Sequence, residues 1–548
     1  MADDPKDWWR GAVMYQIYPR SFLDTTGSGT GDLKGIIDKL DYVASLGVEG
    51  IWISPFFRSP MKDFGYDISD YRSVDPMFGD LDDFKALLRK AHDLGLKIIV
   101  DMVLSHTSRE HPWFIESKMD QINPKADWYV WADPKIDGSP PNNWVSIFGG
   151  SAWHFDVLRG QYYLHNFLTD QPDLNYHNPE VVEAVLGECR FWLDLGVDGL
   201  RLDVINFCTH DKELLDNPHR DQHGAASQLD FPDVYSMQYH VYDKSRPENF
   251  NFLRKLRALL DEYPGTMSLA EIGDDDSVKV SAAYTASDDL LHTAYSFSFM
   301  MNKGRLPDAN FFRKHIEEQA SYPGDSWPSW AFSNHDVVRA ASRWSGTDFD
   351  HDPRLSRLLM ALLCSLRGTA FIYQGEELGL PEVEIAYADI QDPWGRYLYP
   401  KWQGRDGERT PMPWDAEQKN LGFSKADDTW LPASETHRDL AVSVQEERSE
   451  SQLHFTRSLL AWRKTVPALA KGDITFIDGL PADVLAFYRS LGDQRVLCVF
   501  NLSAYEMKVS CEALGLVPEA AEIAFDQSVV NVEGEGYVLP AYGFVFLK

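Results

Sequence analysis

The chain has 548 residues and carries 84 acidic against 52 basic side chains, a formal net charge of −32 with histidine neutral. Such a surface repels phosphate backbones and anionic headgroups, so neither nucleic acid nor a membrane surface is expected as a partner; the surplus reads as a solvated shell. Hydrophobic residues at 44% and charged residues at 25% describe a folded globular protein, and at roughly 100–200 residues per domain the length implies two to four domains or one large barrel with attachments.

The N-terminus, MADDPKDWWRG, has no basic or apolar leader region, so no secretory signal is expected. A first strand is predicted at residues 12–18 (AVMYQIY), followed by a helical stripe over 33–46 with Leu33, Ile36, Ile37, Leu40, Val43 and Ala44 on one face. A second strand (50–57) and a helix ending at Gly95 follow, then a third strand over 97–106, nearly all apolar as a strand buried on both faces should be. Residues 107–175 break the rhythm: they are rich in Trp, Pro, Asn and Gly and read as an inserted subdomain. Alternation resumes with a helix over 179–195, a strand at GVDGLRLDVINF (196–207), a helix over 248–262 and a strand at MSLAEI (267–272). Strands over 290–299, 327–336 and 369–377 complete eight strand–helix units, the last closed by a helix near 453–465. Eight such units imply a parallel (β/α)8 TIM barrel, here residues 1–106 plus 176–470. From 471 to 548 short alternating strands (VLAFYRS, RVLCVFNLS, GFVFLK) predict a C-terminal antiparallel β-sandwich domain.

No run of 18 apolar residues exists, so no membrane span is expected. The five cysteines are sparse and show no CxxC or metal-ligand spacing, which predicts a reduced, cytoplasmic protein without a disulfide framework. The composition fits a monomer and a homodimer alike.

In such a barrel the chemistry sits at the C-terminal ends of the strands. The third strand ends in His106, the fourth carries Arg201 and Asp203, the fifth ends in Glu271, and the seventh in Asn334, His335 and Asp336. Residues two apart on a strand share a face, so Arg201 and Asp203 point the same way. A metal site is disfavoured by the lack of HxH or HExxH spacing, and a serine triad by the lack of GxSxG in a suitable setting. Paired carboxylates across a cleft are what glycoside hydrolysis needs: an ionised nucleophile and an acid kept protonated by a raised pKa.

At these residues the sequence resembles the α-amylase superfamily, glycoside hydrolase family 13, and its oligo-1,6-glucosidase/α-glucosidase branch. The resemblance rests on DMVLSH (101–106), QPDLN (171–175), GLRLDVIN (199–206), Glu271 after SLA, FSNHD (332–336), GEELGL (375–380) and RDGERTPMPW (405–414). It runs from about Trp8 to the C-terminus. It implies Asp203 as nucleophile, Glu271 as general acid and base, and Asp336 as transition-state stabiliser. His106, Arg201 and His335 would bind the nonreducing glucose or order the carboxylates. Asp63 and Tyr66, in DFGYD, resemble the closed end of the pocket, where Asp63 would pair with Arg405 and Tyr66 would stack under the sugar ring, making the enzyme exo-acting. Phe148 and Phe167 would line the pocket from the inserted subdomain. The expected substrates are small α-glucosides; a transglucosylase using the same residues is the runner-up. A non-catalytic relative, such as the amylase-like ectodomains that chaperone amino-acid transporters, is disfavoured because the carboxylate trio is intact.

Two positions depart from the family pattern. The loop over 24–32 reads DTTGSGTGD where many relatives have DxNxDGxGD and bind a divalent cation; Thr26 and Ser28 leave Asp24 and Asp32 as its only carboxylates, so no bound metal and no cofactor are expected. Val204 follows the nucleophile, where Val resembles enzymes accepting α-1,6 bonds. A one-methyl difference is worth about 1–3 kcal/mol, enough to tilt linkage choice without fixing it. The segment 209–238 is either a wall on the aglycone side or a surface loop.

Overall fold

The computed structural model describes residues 6–221, 233–324, 326–346, 349, 351–516, 522–525, 530–532 and 536–548. Eight parallel strands, β1 (Val13–Ile17), β2 (Gly50–Ile53), β3 (Lys97–Val103), β4 (Gly199–Asp203), β5 (Met267–Ile272), β6 (Thr293–Ser296), β7 (Trp327–Ala331) and β8 (Thr369–Tyr373), pair in chain order and close β8 onto β1. Alternate side chains divide between two cores. Met14, Trp52, Ile99, Leu269, Tyr295 and Phe371 fill the barrel, while Val13, Tyr15, Ile51, Ile98 and Val100 pack outward beneath the helices. This is why the strands read as continuous apolar runs.

The helices form for reasons visible in the sequence. In α1 (Leu33–Leu46), Leu33, Ile36, Leu40 and Val43 are buried on one stripe, Asp32 caps the first turn through the Gly35 amide at 2.7 Å, and Gly47 ends the helix at φ 90°. α2 (Leu81–Asp93) opens on a reciprocal cap between Asp80 and Asp83; α3 (Pro179–Leu195) follows the Asn178 cap and stops at left-handed Gly196. The strands end earlier than predicted. β4 stops at Asp203 rather than 207, β7 at Ala331 rather than 336, and β8 at Tyr373 rather than 377. The residues beyond are buried in loops over the barrel rim, and burial rather than pairing makes them look strand-like.

Between β3 and α3 lies a three-stranded antiparallel sheet with Gln161–Leu164 in the centre, flanked by Trp131–Ala132 and Trp153–Asp156. At the C-terminus a five-stranded sheet faces a three-stranded one. In its strand Val484–Leu491, Val484 and Ala486 point into the sandwich, whereas Leu485 and Phe487 join the barrel's outer core. All five cysteines are buried free thiols, and among the described residues no helix is long and apolar enough to cross a membrane.

Candidate active site

β4 brings Arg201 and Asp203 onto one face, and Arg201 is fully buried over the Trp52 ring. A buried guanidinium needs acceptors, and three carboxyl groups supply them. Its Nη1 donates to Asp101 at 2.8 Å and Asp203 at 2.6 Å; its Nη2 donates to Glu271 at the end of β5 and to Tyr295 Oη at 3.1 Å. Val204 adopts a left-handed backbone (φ 35°, ψ 45°) that β-branched residues avoid, and from there its amide donates to Glu271 at 3.2 Å. Burial pushes Glu271 up to about 8, Arg201 pulls the other way, and Asp203 and Asp336 push it up further. Burial raises Asp203 as well, against the attraction of Arg201. Glu271 is thus the more readily protonated of the two, with Asp203 raised to about 7, the order needed for one carboxyl to donate while its neighbour attacks.

A second cluster lines the pocket. Arg405 donates through Nη2 to Asp63 at 2.9 Å and to Asp392 at 3.0 Å, and through Nη1 to Asp336 at 3.2 Å. Arg409 adds a bond to Asp336 at 2.8 Å and another to the His335 carbonyl at 2.6 Å. Burial alone would raise Asp336, but the Arg405 and Arg409 guanidinium groups hold it well below the usual carboxylate range. Asp63 sits on a tight turn fixed by Asp67, which accepts from the Lys62 and Asp63 amides at 2.9 and 3.0 Å. Gly65 in that turn has φ 112°, and a Cβ there would lie 3.0 Å from the Pro55 carbonyl, so DFGYD needs its glycine.

The two clusters are joined by a buried chain. Gln16 donates to His335 Nδ1 at 2.8 Å, which leaves the Nε2 proton for Tyr66 Oη at 2.6 Å and frees the Tyr66 hydroxyl to donate to Asp101 at 3.1 Å. Burial lowers His335 to about 3 and His106 to about 4, so both rings are neutral. His106 Nε2 lies 2.9 Å from the Tyr66 carbonyl and 3.2 Å from Gln171 Nε2, whose amide also reaches Asp63 at 3.0 Å.

A pocket of about 420 Å³ opens above these groups, lined by Asp63, Tyr66, His106, Phe148, Phe167, Asp203, Glu271, Asp336 and Arg405, all expected from the sequence. Phe148 and Phe167 come from the inserted subdomain with centroids 6.5 Å apart, and the Arg405 guanidinium lies over the Phe148 ring. Arg201 and His335 are fully buried and absent from the lining. Of the two roles expected for them, their contacts match the ordering of carboxylates, not contact with sugar. Sequence reasoning missed Asp101, Gln171, Tyr295, Asp392, Arg409 and Trp394. Three of these, Asp101, Gln171 and Arg409, lie inside motifs already singled out, so their signal was available. Of the segment 209–238, residues 222–232 lie outside the described residues; Asp233 and Tyr235 line the pocket.

In the loop over 24–32 both carboxylates are enclosed by hydrogen-bond donors. Asp24 Oδ1 accepts from the Thr26, Gly27 and Ser28 amides at 2.9, 2.8 and 3.3 Å, and Oδ2 accepts from the Gly29 amide at 2.8 Å and the Ser424 hydroxyl. Asp32 is occupied by the Thr25 and Gly35 amides, both at 2.7 Å. Hydrogen-bond donors rather than oxygen ligands converge on both carboxylates, so the donor set does not fit a divalent cation. Among the described residues no group of three His, Cys, Asp or Glu side chains is arranged to hold a metal.

Comparison with known proteins agrees with this geometry. Residues 16–472 match the family described as alpha amylase, catalytic domain, and residues 474–546 match maltogenic amylase, C-terminal domain. The chain is 49% identical to a probable alpha-glucosidase of Rhizobium meliloti (strain 1021), over 100% of this chain and 98% of that one. It is 36% identical to an oligo-1,6-glucosidase of Heyndrickxia coagulans, over 91% and 92%. The solved structure of an α-glucosyl transfer enzyme, XgtA, superposes with a TM-score of 0.92 at 51% identity, over 98% of this chain and 99% of that one. The chain belongs to the α-amylase family, glycoside hydrolase family 13, on its α-glucosidase branch.

Proposed function

We propose that the protein is a retaining, exo-acting α-glucosidase that releases terminal glucose from α-linked disaccharides and short oligosaccharides. The observation that carries this reading is that Asp203 and Glu271 bind the two terminal nitrogens of one guanidinium, with Glu271 also held by the amide that follows Asp203. Retaining pairs stand roughly 5–5.5 Å apart and inverting pairs roughly 6.5–9.5 Å, because an inverting pair must admit a water. A shared guanidinium favours the short spacing. Asp203 attacks the anomeric carbon as the glycosidic bond breaks, and Glu271 delivers its proton to the leaving oxygen. Glu271 then takes a proton from water, whose oxygen replaces Asp203 at that carbon. Asp336, ionised under two arginines, faces the positive charge that develops on the ring. The Asp63–Arg405 pair closes the pocket at one end, which supports cleavage one sugar at a time.

Transfer of glucose to an alcohol uses the same two steps, with the alcohol in place of water. The likeness to an α-glucosyl transfer enzyme favours a substantial share of this second outcome. We further propose that no divalent cation is needed, since the lone pairs of Asp24 and Asp32 are already engaged. Val204 lines the pocket beside the nucleophile, consistent with acceptance of α-1,6 bonds. The test is a chromogenic α-glucoside offered to the wild type and to Asp203→Asn. Turnover by the wild type with none by the variant is expected; equal turnover by both removes the mechanism.

A further inference from the structure

The flank of the pocket beyond Glu271 holds a polar network that the hydrolytic scheme leaves unused. Tyr235, in the short 3-10 turn Tyr235–Met237, and Lys244 both line the pocket and are both buried. Lys244 Nζ donates to Tyr235 Oη at 2.8 Å and to the Gly273 carbonyl at 3.0 Å, two residues after Glu271. Behind Tyr235, the His240 ring stacks with centroids 3.7 Å apart; its Nε2 lies 2.8 Å from the Tyr235 carbonyl and its Nδ1 2.6 Å from Asp243. The phenol is thus clamped from its backbone, its face and its oxygen.

An ammonium that donates to a phenolic oxygen occupies a lone pair and leaves the O–H to donate elsewhere. Burial, with the carboxylates of Asp243, Asp274, Asp275 and Asp233, keeps the phenol neutral, so that hydrogen stays in place. Among the described residues no acceptor for it is found. The place of this donor is also informative. In the function proposed above, Asp63 and Arg405 close the far end and the acid must face the leaving oxygen, so the departing and incoming alcohols pass between Glu271 and this wall.

We propose that Tyr235 is a specificity-determining residue that donates its phenolic hydrogen to a hydroxyl oxygen of a polyhydroxylated leaving group or acceptor, with Lys244 as its positioning residue. The network selects sugars and polyols over aglycones that have no hydroxyl to offer. This rests on the glucosyl-transfer chemistry proposed above.

The test compares wild type, Tyr235→Phe and Lys244→Met on maltose, isomaltose and p-nitrophenyl α-glucoside, and measures glucosylglycerol against glucose when glycerol is the acceptor. Tyr235→Phe keeps the ring and its stack on His240. Loss of one neutral hydrogen bond predicts a drop of roughly 3- to 10-fold in kcat/KM for the disaccharides relative to the aryl glucoside. A similar fall is expected in the transfer-to-hydrolysis ratio. Lys244→Met should reproduce the pattern, and the double variant should add little, because the two side chains act as one unit. Equal losses on all three substrates, or an unchanged transfer ratio, overturn the proposal by making the network merely structural. Failure of the wild type to turn over any α-glucoside would instead remove the function on which it rests.

Discussion

Each of the two charged clusters at the pocket is built on buried arginine and three carboxylates, yet the two do opposite electrostatic work. Around Arg201, one guanidinium serves Asp101, Asp203 and Glu271, and that shortage of positive charge leaves Glu271 holding a proton up to about pH 8. Around Arg405, a second cation, Arg409, joins in, and Asp336 stays ionised far below the usual range. The same residue types make a proton donor in one place and a permanent anion in the other. The ratio of arginines to carboxylates decides which.

The largest expected effect comes from removing the proton donor. Glu271→Gln should reduce kcat/KM for maltose by roughly 10²–10⁴-fold, and much less for an aryl glucoside whose leaving group needs no proton; comparing initial rates on the two substrates checks this. Next, Arg405→Met strips the second cluster of the cation shared by Asp63, Asp336 and Asp392. Breaking a buried ionic network of this kind costs about 3–5 kcal/mol, so urea unfolding should show a large loss of stability along with lost activity.

A subtler change probes the ratio itself. Activity requires Glu271 protonated and Asp203 and Asp336 ionised, so kcat/KM should fall as pH rises through about 8, where Glu271 loses its proton, and as pH falls through about 7, where Asp203 gains one. Arg409→Met removes one of the cations that keep Asp336 ionised. Asp336 then binds a proton more readily, but burial has pushed Asp203 up to about 7, far above Asp336, so both limbs of the profile should stay in place while the rate at the plateau falls. The smallest effect is expected at the loop over 24–32, where a chelator should leave both Tm and activity unchanged. A Thr26→Asn, Ser28→Asp double variant should gain a calcium-dependent rise in Tm, because it supplies the ligands that the native loop lacks.

Much of this site was legible in the sequence because its residues break a local rule. Arg201, Asp203 and Glu271 are charges at the ends of apolar barrel strands, and Asp336 follows another such strand. Asp63 and Arg405 were legible only through motif resemblance, since nothing about periodicity singles them out. The groups that set the electrostatics were harder to see. Asp392 comes from a loop with no period, and Tyr295 looks like any aromatic in a strand; its hydroxyl matters only because β6 places it beside Arg201. Strand ends were overestimated at β4, β7 and β8 because the chain continues buried past the last paired residue, and after β7 and β8 those buried residues are largely polar. The segment 209–238 was expected as either an aglycone wall or a surface loop, but nothing in it singled out Tyr235, and Lys244 lies beyond it; their clamp depends on a loop folding back against Gly273.

The account stands on Asp203 as a nucleophile held close to its acid. The direct test is proton NMR of the glucose released in the first moments of hydrolysis, before mutarotation. Double displacement predicts that the α anomer appears first; initial release of the β anomer would contradict it.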